Sequence, residues 1–384
     1  MFLHANCVVR WSRSLTLRKS SYITGASHAG PVAEWLCSGL QNRVHRFNSG
    51  PGLHFPISFR GDRGGVRLTP GNGDVMSRFS ANILMCCAAL VWGITFVAQK
   101  TGMDTIGPMS FTFARYVMGA LALLPLAWVE SRRRPLVVAC KTDRTITMGA
   151  LGLGGMMFGG MALQQTALLY TSVANAAFLT AFYVPLVPLI AYLFLRRHVN
   201  FTVWPAVVLS IFGSFLLSGT STVSAQLGDI LTLGGAFFWA GHILLAQWLM
   251  TRVKTPFQLS FVQASVTACC AGLLMVGLEQ PDIDDFMPVL PQILFAGVVS
   301  VGIGFTLQLV AQRYTSAPAA ALILSLESVF AAGFGWGLLG ETLALTGMIG
   351  CGLIFLAIII AEVVPETILT NMLPRQFFAF WRKD

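Results

Sequence analysis

The chain is 384 residues long, 55% hydrophobic and only 11% charged, with a net charge of +9. A soluble domain carries about 25% charged residues, so this chain has too little polar surface for a water-soluble globule, and lipid is the expected solvent for the rest. The positive charge does not point to nucleic acid, because the basic residues cluster in short loops between apolar runs, as they do in membrane proteins.

Residues 1–75 hold nine Lys/Arg against three acids, many Ser, Gly and Pro, and no apolar run of spanning length. One reading is an organelle transit peptide, Arg- and Ser-rich and acid-poor. The preferred reading is a disordered tail, or sequence upstream of a start at Met76. "Met76-Ser77-Arg78-Phe79" directly precedes the first apolar run, and a chain beginning at Met76 is expected to insert and function.

Beyond Met76, charge-free runs recur at 79–99, 145–195, 198–228, 230–251, 255–278, 286–312 and 342–361. A helix needs roughly 20 apolar residues to cross the hydrocarbon core. Ten helices are predicted, at 79–99, 107–128, 146–168, 172–195, 201–218, 229–250, 257–278, 291–312, 316–339 and 343–363. Short connections make consecutive helices antiparallel. Cys86, Cys87, Cys269, Cys270 and Cys351 fall inside apolar runs, where Cys acts as a small hydrophobe. No CxxC pair suggests a metal or a redox cofactor, and none is expected.

The loops set the orientation. With the residue before the first helix inside, the inner loops and ends hold 14 basic residues: Arg78, Arg132, Arg133, Arg134, Lys141, Arg144, Arg196, Arg197, Arg252, Lys254, Arg313, Arg375, Arg382 and Lys383. The outer loops hold only Lys100. Basic loops stay cytoplasmic, so both termini are expected inside, in a multi-pass protein of the cell (inner) membrane.

An internal repeat divides the chain. Leu163, Gln164, Tyr170, Thr171, Ser172, Ala176 and Ala177 recur as Leu307, Gln308, Tyr314, Thr315, Ser316, Ala320 and Ala321. A weaker match sets Leu90–Trp92 beside Phe237–Trp239. Two five-helix halves follow, and an odd number of helices inverts the second. The basic loop after helix two is matched after helix seven by Glu279, Asp282, Asp284 and Asp285, and Arg196-Arg197 by Gly340-Glu341. The expected fold class is an all-α integral membrane protein with ten transmembrane helices as two inverted five-helix repeats. The first covers 76–218 and the second 228–363, with an extension at 1–75 and a cytoplasmic tail at 364–384. Inverted repeats recur in secondary transporters, with the substrate site near the midplane.

Residues 76–363 resemble the drug/metabolite transporter superfamily, EamA type. The stretches that carry the resemblance are "LVWGITFVAQK", "SFTFARYVMGALALLPLAW", "YTSVANAAFLTAFYVPLVPLIAYLFL", "GDILTLGGAFFWA" and "YTSAPAAALILSLESVFAAGFGWGLLGETL". One departure is Arg196-Arg197 in place of the acid usual at the end of the first repeat. The resemblance implies ten helices from two EamA repeats, and transport of amino acids, nucleotide-related compounds or other metabolites.

Several side chains are candidates for the substrate or coupling site. Glu327 lies mid-membrane, where a carboxylate costs about 2.5–3.5 kcal/mol to insert even on the lenient scale, and intramembrane acids mark pathways. The alternative is a neutral Glu bonded to a neighbouring backbone. Its counterpart in the first half is Tyr183. Arg115 has three readings: contact with an anionic substrate group, a pair with an acid, or snorkelling to the interface. His242 is a candidate proton shuttle or a packing histidine. Gln164, Gln308, Gln312 and Asn175 place amides inside helices, where they either bond between helices or line a cavity. Trp92 and Trp239 stand at matching sites, as cavity walls or as packing. Gly155 and Gly159 permit close helix contact, and Pro185 and Pro188 remove backbone bonds inside helix four, as hinges or only as a bend.

A secondary transporter of a small metabolite is the reading preferred here, with export the expected direction. An integral-membrane enzyme would gather His, Asp or Glu at one face, and a channel would not need a two-fold inverted cavity. No GxxxxGK[ST] loop suggests primary transport. The expected partners are the metabolite, the lipid bilayer and a second copy of the chain, with no nucleic acid. A reporter fused after Asp384 should be active only on the cytoplasmic side; activity outside would overturn the orientation.

Overall fold

A computed structural model of the chain describes residues 76–133, 144–196, 199, 203–218, 227–340 and 344–363. The extension 1–75, the loop residues Arg134, Lys141, Arg197 and Glu341, and the tail 364–384 lie outside the described residues. Among the described residues every regular element is a helix. In chain order these are α1 (Arg78–Thr101), α2 (Pro108–Arg133), α3 (Arg144–Ala167), α4 (Val173–Leu193), α5 (Val203–Ser218), α6 (Leu227–Arg252), α7 (Pro256–Leu278), α8 (Leu290–Gln312), α9 (Ala317–Leu339) and α10 (Leu345–Val363). All but α5 and α10 are long and apolar enough to cross a membrane, eight in number among the described residues. The shorter pair is apolar too. The chain is therefore a multi-pass, all-α membrane protein.

The repeated Tyr-Thr-Ser stretches fold alike. Ser172 caps α4 by accepting from Asn175 N at 3.2 Å, and Ser316 caps α9 by accepting from Ala319 N at 3.4 Å. Each satisfies one amide that a helix start leaves open.

Helices expected to be continuous at 172–195 and 316–339 are each broken near the middle. In α4 the pieces are Val173–Thr180 and Tyr183–Leu193, parted at Ala181–Phe182. Pro185 has no N–H, and its ring crowds the carbonyl four residues back, which belongs to Ala181. In α9 the pieces are Ala317–Leu324 and Leu326–Leu339, parted at Ser325. Here hydroxyls compete for the backbone: Ser325 Oγ donates to Leu322 O at 2.6 Å and Ser328 Oγ to Ser325 O at 2.7 Å. The chemistry differs, but the breaks fall at matching places. Gly340, in the left-handed region at φ 68°, ends α9. A further departure lies in α8, whose segment Phe295–Gly304 is a π-helix.

Lipid is as apolar as a side chain, so helices gain little by hiding Leu or Phe from it. Phe79, Leu121, Val208, Leu273 and Ile359 accordingly stay exposed. The interior uses small residues that let backbones approach: Ala81, Ala88, Ala177, Ala240, Ala320 and Ala321 are fully buried. The main contacts join α2 to α7, α5 to α10, α3 to α6 and α7, α8 to α1 and α2, α4 to α6, and α9 to α1 and α4.

The antiparallel α2–α7 pair carries a carboxylate cap at each end. Glu279, where α7 stops, accepts from Met109 N at 2.8 Å, Ser110 N at 2.7 Å and Ser110 Oγ at 2.6 Å at the start of α2. Glu130, near the end of α2, accepts from Gln258 N at 2.8 Å at the start of α7. Negative charge at a helix N-terminus is favoured by the aligned peptide dipoles. Glu279 is thus a helix staple, where its sequence context suggested only an acidic loop.

The α5–α10 contact is closest at two glycines. A Cβ on Gly213 would lie 2.7 Å from Gly350 O, and one on Gly350 would lie 2.8 Å from Leu217 N. Gly350→Val should lower stability in detergent, since overpacking costs about 1–3 kcal/mol. Gly352→Val, where a Cβ meets open space, should be near neutral. Equal melting temperatures for the two variants would refute the close contact.

Candidate functional site

Seven helices, α1 to α4, α6, α8 and α9, contribute to a narrow cavity of about 40 Å³. That is far below the roughly 300–1,000 Å³ of small-ligand pockets, so the space is nearly closed in this structure. The breaks in α4 and α9 open onto it: Thr180 and Tyr183 flank one, and Leu324 and Glu327 flank the other. Of the candidates read from the sequence, Trp92, Arg115, Gln164, Tyr183, Trp239, Gln308 and Glu327 line this cavity.

Arg115 projects from α2 and is 1% exposed, so it does not snorkel to the interface. Its Nη2 meets the Met161 thioether, and the Phe111 and Tyr116 rings lie 5.7 and 5.1 Å from its Cζ. Among the described residues Nε and Nη1 find no acceptor in hydrogen-bonding geometry, with the Tyr116 hydroxyl close by. Burying a cation outside an ion pair is costly, and here it lines a cavity. Glu327 occupies the first turn of the second piece of α9, 5% exposed. The Tyr183 hydroxyl lies beside its carboxyl without reaching hydrogen-bonding geometry.

The rest of the wall is aromatic and amide. The Phe305 ring centroid is 4.7 Å from that of Trp92 and 6.0 Å from that of Trp239. Trp239 Nε1 donates to Gln164 Oε1 at 3.0 Å, and Gln164 Nε2 donates to Gln99 Oε1 at 3.4 Å. Gln165 Nε2 donates to Gln99 O at 3.1 Å. Gln99, Thr180 and Phe305 were missed in the sequence. Gln99 carried a legible signal, as an amide inside an apolar helix; Phe305 and Thr180 look like ordinary core residues until the helices are assembled.

Three candidates stand outside the cavity. His242 is fully buried behind Trp239 and Phe305, with Nε2 3.0 Å from Gln263 Oε1. Gln312 Nε2 donates to Ile243 O at 3.2 Å. Asn175 Nδ2 donates to Thr171 Oγ1 at 2.7 Å and to Asp229 Oδ1 at 2.8 Å.

Asn175 belongs to a polar closure at the α3–α4 end of the bundle. There Lys100 Nζ donates to the carbonyls of Leu168 and Thr171, a cation against carbonyls just past a helix end. At the α8–α9 end Gln247 Nε2 donates to Thr315 O at 3.0 Å, and Thr315 Oγ1 to Asn82 Oδ1 at 3.3 Å. Among the described residues no group of three His, Cys, Asp or Glu is placed to hold a metal ion.

Asn175→Ala would strip the buried Asp229 carboxylate of a donor. The loss should cost about 1–3 kcal/mol and lower the melting temperature of the purified protein. An unchanged melting temperature would mean the bond adds nothing net.

Residues 79–219 and 226–362 each match the model of the EamA-like transporter family. An uncharacterized transporter of Archaeoglobus fulgidus is 29% identical over 295 residues, covering 76% of this chain and 89% of that protein. The uncharacterized transporter YwfM of Bacillus subtilis is 26% identical over 292 residues, covering 74% and 94%. A solved crystal structure aligns with a TM-score of 0.60 at 15% identity, over 75% of this chain and 98% of its own, a likeness of fold.

Proposed function

The chain belongs to the EamA-like transporter family, and from that premise we propose that it is a secondary transporter that exports an amino acid or related small metabolite by alternating access, coupled to protons. The observation that carries the reading is one cavity lined by a buried, unpaired Arg115 and by Glu327. Opposite charges in one water-poor site complement a zwitterion. The guanidinium offers Nε and Nη1 to a carboxylate, a charge-assisted and geometrically specific contact. The Glu327 carboxylate takes the ammonium group, and the indoles of Trp92 and Trp239 wall the rest. A proton and an ammonium compete for the same carboxylate, so binding one releases the other. Proton entry down an inward gradient then drives the metabolite outward.

The finer architecture is part of the same proposal. The short helices α5 and α10 complete ten spans, in halves 76–218 and 228–363, inverted in the cell (inner) membrane with both termini cytoplasmic. The packing supports it: advancing every helix by five turns the α3–α6, α3–α7 and α4–α6 contacts into α8–α1, α8–α2 and α9–α1, and returns α2–α7, α4–α9 and α5–α10 to themselves. A site between two such halves is where inverted-repeat transporters bind their cargo.

Vesicles containing the purified protein test the reading with a panel of labelled amino acids. Flux should saturate and show counterflow. Glu327→Gln should abolish flux driven by a pH gradient while counterflow persists at a KM raised roughly tenfold, the equivalent of ~1.4 kcal/mol. Arg115→Gln should abolish both modes. Gradient-driven flux that survives Glu327→Gln would sink proton coupling, and non-saturating flux would replace the transporter by a channel.

A further inference from the structure

The two matching tryptophans sit on matching platforms, yet only one makes its hydrogen bond. Trp239 of α6 lies on Gly160 of α3, where a Cβ would come within 3.1 Å of the indole Nε1. Trp92 of α1 lies on Gly304 of α8, where a Cβ would come within 2.8 Å of Nε1. One helical turn beyond each glycine stands a glutamine, Gln164 and Gln308. Trp239 Nε1 donates to Gln164 Oε1 at 3.0 Å. On the other side, among the described residues, Trp92 Nε1 has no acceptor and Gln308 Oε1 has no donor, and both atoms are shut off from solvent. Donor, acceptor and scaffold are all repeated, and the bond is missing. Burying an unsatisfied donor and an unsatisfied acceptor is unfavourable for each, and a turn of Gln308 toward Trp92 would satisfy both.

The backbone supplies a reason for the difference. Helix α3 is α-helical throughout Arg144–Ala167. Helix α8 carries the π segment Phe295–Gly304, which ends at the glycine beneath Trp92. A π turn holds more residues than an α turn, so it changes the rotation of everything beyond it about the helix axis, and such segments gather at functional sites. Gln308 lies just beyond the segment, and Gln164 has no such segment before it.

We propose that the Trp239–Gln164 and Trp92–Gln308 bonds alternate, each latching one of the two facing states of the cavity. This rests on the reading of the chain as an alternating-access transporter of two inverted halves. When the π segment of α8 tightens, Gln308 turns to meet the Trp92 indole; when it relaxes, Trp239 and Gln164 rejoin. Phe305, between the two indoles and adjoining the π segment, passes the movement of one to the other. One bond is made for each bond broken, so neither state becomes a trap, as a carrier that must visit both requires.

The exchange is read without any substrate. The chain has nine tryptophans. It is prepared with 5-fluorotryptophan, and the fluorine signals of Trp92 and Trp239 are assigned with Trp92→Phe and Trp239→Phe. Each residue should give a bonded and a free signal with complementary populations. Gln164→Leu should raise the bonded-to-free ratio of Trp92 by about tenfold, as ~1.4 kcal/mol of bias would. Gln308→Leu removes an acceptor that is idle in this structure, so it tests the idea even if Gln164→Leu fails to fold. It should collapse Trp239 to its bonded signal. Trp239 populations unchanged by Gln308→Leu, or Trp92 populations unchanged in a folded Gln164→Leu protein, would overturn the exchange. Flux through the unmodified protein in vesicles tests the transport reading separately.

Discussion

Lipid accepts an apolar side chain as readily as a protein interior does, but it offers no partner to a backbone amide, a carboxylate or a guanidinium. That asymmetry shapes this molecule. Hydrophobic burial cannot hold the helices together, so contacts rely on alanine and on glycine pairs such as Gly213 and Gly350, where main chains nearly touch. Polar groups cannot be left to solvent either, so every amide or acid inside the bundle must find a neighbour or line a cavity. Glu279 and Glu130 show the first outcome, tying the ends of α2 and α7 to each other through open helix amides. Arg115, Glu327, Gln164 and Gln308 show the second.

The breaks in α4 and α9 follow from the same constraint. A helix that loses hydrogen bonds in lipid would be penalised at each open carbonyl, but a break that faces a cavity meets polar company. Proline makes the interruption in α4 and serine hydroxyls make it in α9. Because the two breaks fall at equivalent positions, Tyr183 and Glu327 are delivered to the same space. The pair is chemically unequal: one side supplies a phenol and the other a carboxyl. Matching positions therefore need not be alike in charge: among the described residues lining the cavity the acid, Glu327, falls in one family-model match and Arg115 in the other.

The two ends of the bundle are closed by different groups. Lys100 and Asn175 bond to Thr171, and Asn175 in turn to Asp229, while Gln247 and Asn82 bond to Thr315 in a space that Arg78 also lines. Charged donors and acceptors make hydrogen bonds roughly twice as strong as neutral ones.

Spacing and composition by themselves determined the solvent, the helical class and the position of nearly every helix, because roughly 20 apolar residues between charges have few other uses. The repeat match included Ser172 and Ser316, and the structure makes both of them helix caps, since a capping hydroxyl acts within three residues of itself. Pro185 announced a bend in α4. Nothing comparable announced the break at Ser325, since serine bonds to its own backbone only where the surrounding helices leave the carbonyls free. The partners of Asn175, Gln312 and His242 were equally out of reach: an amide in lipid must pair, but with which helix depends on rotation about its own axis. Arg115 illustrates the same limit, because its depth along α2 is a matter of counting, whereas the choice between interface and cavity belongs to the face that α3 and α8 leave open. Local rules act over a turn or two of chain and are legible in sequence. The meeting of Trp92, Arg115, Gln164, Tyr183 and Glu327 around one space depends on how separate helices are turned toward one another, and only the tertiary structure decided it.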